Sequence, residues 1–189
     1  SSGSAIRFAA GNGTVTAARA VLATNVFPSL IVRNRLQTVP VYDYVLATEP
    51  LSAGQLDSIG WRHRQGVSDT TNRFHYYRIT ADNRILWGGY DAVYYYGSKI
   101  DPSVEQAPHK GWATHVKLAE HFFETFPQLE GLSFTHRWGG VIDTCTRFSV
   151  TFGTAFDGRV AYAVGYTGLG VGATRFGARV CLDLLYSPD

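Results

Sequence analysis

Apolar and polar positions alternate in short runs along most of the chain, and glycine, proline and asparagine separate the runs. In "AIRFAAGNGTVTAARAVLATN", Ile6 and Phe8 alternate with their neighbours, Gly11-Asn12-Gly13 supplies a turn, and Ala18 to Ala23 is apolar and mostly small apart from Arg19. That pattern predicts a hairpin followed by a buried strand. "PVYDYVLATEPLS" is another β run, entered at Pro40 and closed at Pro50. "FHYYRITADNRILWGGYDAVYYYG" predicts a second hairpin with Asp82-Asn83 at its turn. Phe74, Tyr76 and Arg78 fall on one face of it, and His75, Tyr77 and Ile79 on the other. "FTHRWGGVIDTCTRFSVTFGTAFDG" is strand-like with glycine interruptions, and "RVAYAVGY" reads as a short buried strand.

Two stretches carry a helical period. Trp112, Val116, Ala119, Phe123 and Phe126 recur at spacings of 4, 3, 4 and 3, with Pro108 near the start and Pro127 as the stop. This aromatic stripe is expected to face the core. Near the end, Ala173, Phe176, Val180 and Leu184 give a last helix an apolar face, and Ser187-Pro188 ends it. The order strands, helix, strands, helix predicts an α+β body with an antiparallel sheet.

Composition narrows the function classes. The 189 residues are 45% hydrophobic and 17% charged, enough to bury a core. The net charge of +2 and the scatter of basic residues argue against nucleic acid or an anionic membrane as partner. No apolar run has transmembrane length and no signal peptide opens the chain. Two cysteines, Cys145 and Cys181, make no disulfide framework, so a cytoplasmic, reducing setting is expected. Aromatic residues reach 14%, which suggests a lined cavity. The chain has no Met and begins "SSGS", so it reads as a piece of a longer protein or a processed product.

Most catalytic signatures are missing. The six histidines, His63, His75, His109, His115, His121 and His136, form no H-x-x-x-H and join no C-x-x-C, so no metal site is expected. Neither G-x-S-x-G nor a Walker loop occurs. Cys145 reads as a small buried hydrophobe, and Glu120 and Glu124 lie on a solvated helix face. The sharp signal is "GYTGLGVGATRFGARVCLDLL", from Gly165 to Leu185. Within it Gly168, Gly170 and Ala173 satisfy G-x-G-x-x-G/A. A strand, glycines and a helix N-terminus present free N–H groups and a positive dipole end. The fitting partner is anionic or becomes electron-rich: a pyrophosphate, or the N1/C2=O edge of a reduced flavin. An NAD site would require a following strand that ends in an acid about 20 residues on, and no strand pattern follows the loop and its helix here.

The same stretch resembles the C-terminal flavin loop and helix of the D-amino-acid oxidase-like FAD oxidoreductases, Gly-[Phe/Tyr]-[Ser/Thr]-Gly-x-Gly, met by Gly165, Tyr166, Thr167, Gly168 and Gly170. "TVTAARAVLATN" is similar to that family's FAD-domain strand ending Ala-Thr-Asn. "VPVYDYVLATEPL", "FHYYRITADNRILWGGYD" and "FPQLEGLSFTHRWGGVIDT" resemble its γ-glutamylputrescine oxidase branch. The resemblance implies oxidation of a C–N bond in an amine or amino acid, with hydride passing to FAD and O2 or another acceptor reoxidising it.

It also implies a division of the chain: residues 1–32 as the end of the first part of an FAD domain, 33–133 as an antiparallel substrate-binding domain with flanking helices, and 134–189 as the return into the FAD domain. The ADP-binding loop of the family lies upstream of all of these and is absent from this chain. By the same resemblance, Gly165, Thr167, Gly168, Gly170 and Val171 face the flavin, Trp138, Gly139 and Gly140 pass near it, and Ala23, Thr24 and Asn25 end the strand beneath it. Tyr76, Arg78 and Trp87 lie on the hairpin that meets substrate; Tyr76 and Trp87 serve equally well as sheet packing. Relatives that attach flavin covalently use a Cys in the strand matching "RWGGV"; none is there, so non-covalent FAD is expected. Val171 stands where some relatives carry a Lys, which leaves oxidase and dehydrogenase both open. A binding or assembly module without FAD is the other reading.

Overall fold

The computed structural model describes residues 5–101 and 111–187; Pro108, His109 and Pro188 lie outside them. The strands are β1 (Ile6–Ala10), β2 (Gly13–Ala17), β3 (Ala20–Leu22), β4 (Val39–Thr48), β5 (Val67–Ser68), β6 (His75–Ile79), β7 (Ile85–Gly89), β8 (Phe134–Thr144), β9 (Thr151–Ala155) and β10 (Val160–Val164). The helices are α1 (Ala53–Ile59), α2 (Trp112–Thr125) and α3 (Gly170–Tyr186). The chain forms two compact units, Ser1–Pro40 with Ile142–Asp189, and Val41–Val141. The middle segment expected from the sequence is 33–133.

In the terminal unit β1 and β2 form the expected hairpin, with Ile6 opposite Ala17. β10 is the central strand of a three-stranded sheet, parallel to β3 and antiparallel to β9. Its residues alternate by size. Val160, Tyr162 and Val164 join a core with Leu22 and Ile31, while Ala161 packs with Cys181 and Leu185 of α3. Period-two alternation sends these sets to opposite faces of the sheet. The alanines let the helix come close, and Gly177 completes the fit, since a Cβ there would collide with the Tyr166 hydroxyl.

The buried stripe of α3 is therefore Gly177, Cys181 and Leu185. This corrects the expected stripe: Phe176 is 65% exposed and Leu184 42%. Close approach to an alanine face selects the small residues and turns the large ones outward.

The middle unit is built on the five-stranded sheet β5-β6-β7-β4-β8. β6 and β7 form the expected hairpin, with Tyr76 opposite Gly88 and Tyr77 opposite Trp87. One sheet face carries an aromatic core of Tyr42, Tyr44, Leu46, Ile79, Ile85 and Trp87, closed by Leu118 and Phe122 of α2 and by Leu56 and Ile59 of α1. α1 is set by a capping box: Ser52 Oγ accepts from the Gln55 N–H and Gln55 Oε1 accepts from the Ser52 N–H. The α2 stripe also differs from expectation. Thr114, His115, Leu118 and Phe122 are buried, while Trp112 is 54% exposed and lies against the Arg137 guanidinium, 5.5 Å from the ring centroid.

His75 ties α2 to the sheet. Its Nε2 lies 2.9 Å from His121 Nδ1, and its Nδ1 lies 3.3 Å from the Gly88 carbonyl oxygen. With Nδ1–H donating to that carbonyl, Nε2 accepts from His121. Burial pushes the His75 pKa below its ordinary value; the Gly88 carbonyl opposes this, His121 adds to it and Asp69 opposes it. His115 is lowered too, first by burial, with Trp138 opposing and Arg137 adding. A histidine with a depressed folded pKa takes up its proton first in the unfolded chain. Stability is then complete above the unfolded value near about 6.5 and is lost as pH falls toward the folded value. Urea unfolding at descending pH should show this loss, and His75→Phe should flatten part of it; an unchanged slope would count against the pair.

Candidate functional site

β3 and β10 are parallel neighbours, with Leu22 opposite Tyr162, so their carboxyl ends lie on one edge of the sheet. Ala23, Thr24 and Asn25 leave the first end, and Gly165, Tyr166, Thr167, Gly168 and Leu169 leave the second. The crevice outside the carboxyl ends of parallel strands is a usual ligand position in α/β sheets. Both exits hold left-handed backbone: Asn25 has φ 53, Gly165 and Gly168 have φ 84, and Thr167 has φ 52.

For the β-branched Thr167 that conformation is strained and must be held by its surroundings. The end of β8 holds it. Asp143 is 2% exposed, and its Oδ2 accepts from the Gly165 N–H at 2.6 Å. The Asp143 carbonyl accepts from the Thr167 N–H at 3.2 Å. The Cys145 N–H donates to Thr167 Oγ1 at 3.2 Å, and that hydroxyl donates to the Gly165 carbonyl at 3.1 Å. Gly165 is buried where a Cβ would stand 3.0 Å from Cys145 Sγ. Cys145 thus packs under the loop as a small buried side chain.

The loop delivers the N-terminus of α3. Leu169 accepts the first helical bond, from the Ala173 N–H at 3.1 Å, and no side chain caps this end. The N–H groups of Gly170, Val171 and Gly172 are therefore the helix's free donors. No acid lies in the first turn. Val171 and Gly172 are exposed, and a Cβ at Gly172 would meet nothing within 4 Å. Free donors, a positive dipole end and open space suit an anionic or electron-rich group laid against the backbone.

The middle unit holds the other candidates. Gly139 is where a Cβ would stand 2.8 Å from the Tyr44 ring. Its small size thus serves core packing, and by alternation Trp138 and Gly140 face the other side of the sheet. Tyr76 and Arg78 lie on that opposite side too, and Arg78 is exposed. Trp87 does not join them: it is 1% exposed and lies within the core, stacked on His75 at 4.4 Å and tilted against Tyr77 at 4.7 Å. Of the two roles open to Trp87, sheet packing is the one its surroundings fit. Among the described residues, no His/Cys/Asp/Glu cluster could hold a metal ion, and no helix is long and apolar enough to cross a membrane.

A family described as "FAD dependent oxidoreductase" matches residues 3–184. The chain belongs to that family. Within it, the chain is 32% identical over 176 residues to the γ-glutamylputrescine oxidoreductase of Escherichia coli, covering 92% of this chain and 38% of that protein. It is 28% identical over 174 residues to the probable oxidoreductase OrdL of Haemophilus influenzae, covering 89% of this chain and 36% of that protein. The chain thus spans under two fifths of the length of either relative. The fold is also that of L-proline dehydrogenase from P. horikoshii (TM-score 0.72, 16% identity, 93% of this chain and 44% of that one). Glycine oxidase from Geobacillus kaustophilus shares it as well (TM-score 0.70, 15% identity, 95% and 44%).

For an FAD dependent oxidoreductase, three groups here escape sequence reasoning: Asp143, Asp43 and the His75–His121 pair. Asp43 accepts from the Tyr76 hydroxyl at 2.6 Å. Each acid is a single charge inside an apolar strand run, "VYDYVLA" or "GGVIDT", and that is the one signal the sequence offered.

Proposed function

We propose that this chain is the flavin-loop and substrate-sheet part of an enzyme that oxidises the C–N bond of an amine or amino acid. The observation that carries the reading is the Asp143-clamped loop, which ends in the free N–H groups of Gly170, Val171 and Gly172 at the carboxyl ends of parallel strands. Bound FAD would supply a two-electron acceptor. The donor set fits its ring: backbone N–H groups with no competing acid favour the edge that becomes electron-rich on reduction. Gly165, Thr167, Gly168, Gly170 and Val171 would hold that edge, with Ala23, Thr24 and Asn25 beside it. Trp138, Gly139 and Gly140 are proposed as cofactor-side residues on the family resemblance alone. No cysteine lies between Arg137 and Val141, which supports non-covalent binding.

The substrate surface is proposed on the sheet face opposite the aromatic core, where Tyr76 and exposed Arg78 lie. Arg78 offers a fork of donors to a carboxylate. An amine substrate accords with the name of the γ-glutamylputrescine oxidoreductase relative. Two free, buried thiols accord with a reducing cytoplasm.

The test is spectroscopic. The full-length protein that contains this chain should carry FAD that denaturation releases, and an amine or amino acid added without oxygen should bleach it; this chain by itself, without the family's ADP-binding loop, is expected to be inactive. Full-length protein that takes up no FAD ends this reading.

A further inference from the structure

Tyr76 reaches Asp43 by lying across a strand. Tyr76 is on β6 and Asp43 on β4, with β7 between them. Gly88 of β7 stands directly opposite Tyr76, and a Cβ on it would come within 2.6 Å of the phenol ring. The missing side chain at Gly88 is what lets the ring lie flat and its hydroxyl donate to Asp43 Oδ2 at 2.6 Å. The pair sits on the sheet face away from the helices, since its neighbours Tyr44 and Tyr77 face the core.

Burial pushes the Asp43 carboxyl above its ordinary value, against hydrogen bonds from Tyr76 and the backbone of Tyr44 and Gly89. Burial and the Asp43 charge push the Tyr76 phenol up in turn, so it remains a donor. All of these partners are neutral. None of the salt bridges among the described residues engages Asp43. A partly buried carboxylate held in place by neutral donors retains acceptor capacity for a cation.

We infer that Asp43, aimed by Tyr76 across Gly88, is the receptor for a cationic nitrogen of the substrate, an alkylammonium group. The inference rests on the reading of this sheet face as the substrate surface. Arg78 lies on the same face and has the opposite charge, so the two would distinguish the ends of a substrate carrying both charges.

The test is calorimetric titration of the protein with n-butylammonium chloride and, separately, with n-butanol, an uncharged probe of the same chain length. The ammonium should bind at least tenfold more tightly. Asp43→Asn, which keeps the shape and loses the charge, should reduce its affinity tenfold or more; Asp43→Glu should retain it. Asp43→Ser serves as a second charge-free variant should Asn impair folding. Equal affinity for the two probes, which requires no variant, overturns the inference. So does a folded charge-free variant that binds butylammonium like the parent. A protein that binds no flavin but takes butylammonium through Asp43 would overturn the redox reading and keep this site. A flavoprotein bleached by amines whose Asp43→Asn variant binds butylammonium undiminished would do the reverse.

Discussion

Trp87→Ala should destabilise the protein by about 3–5 kcal/mol, the range for removing a large aromatic from a packed core. Trp87 is 1% exposed and lies among His75, Tyr77, Phe122 and Phe126, with ring centroids 4.4–6.0 Å away. These neighbours come from β6, from α2 and from the residue that ends α2, so the cavity would loosen the sheet from its helix. Rigid aromatic rings cannot collapse fully into the space, which puts the cost toward the upper end. Trp87→Phe should cost far less, because the buried indole N–H has no hydrogen-bond partner among the described residues. Urea unfolding midpoints for the two variants check both statements. A Trp87→Ala protein of parental stability with a raised KM would instead make Trp87 part of the substrate wall.

What the sequence shows of this fold follows from the range of the interactions involved. Both hairpins and the buried strand at β10 are legible, because strand patterning is local. So is the loop, whose glycines mark its backbone directly. The two helix stripes were displaced by about one residue for a physical reason. Phe122 and Phe123 are adjacent, as are Leu184 and Leu185, so several apolar stripes compete on each helix. The surface across from the helix decides among them, and in α3 an alanine face chose Gly177 and Cys181 over Phe176. α1 is hard to see in the sequence although its capping box stands in "SAGQ", because seven residues carry too little periodicity. Asp143 and Asp43 find their partners 22 and 33 residues away, across strands whose pairing no local spacing encodes. The supports of the candidate site were thus hidden, while the surface they support was visible.

Asp143→Ala tests that support, and its effect should fall on the loop. The substitution leaves the buried Gly165 N–H without its carboxylate acceptor, a loss of about 1–3 kcal/mol. Thr167 keeps its bond to the residue-143 carbonyl, but its strained φ of 52 then relies on fewer restraints. The free donors of α3 would be presented less often in one geometry. If FAD binds as proposed, affinity should drop about tenfold for each 1.4 kcal/mol lost from the binding-competent loop. Asp143→Asn keeps an acceptor without the charge and should fall between the two. Flavin fluorescence titration read beside urea unfolding separates the outcomes. A loss of affinity larger than the loss of global stability marks Asp143 as a positioning residue for the cofactor. Equal losses make it a fold residue only. Parental values for both would mean that the loop holds its shape without the carboxylate, through Cys145 and the backbone of β8 alone.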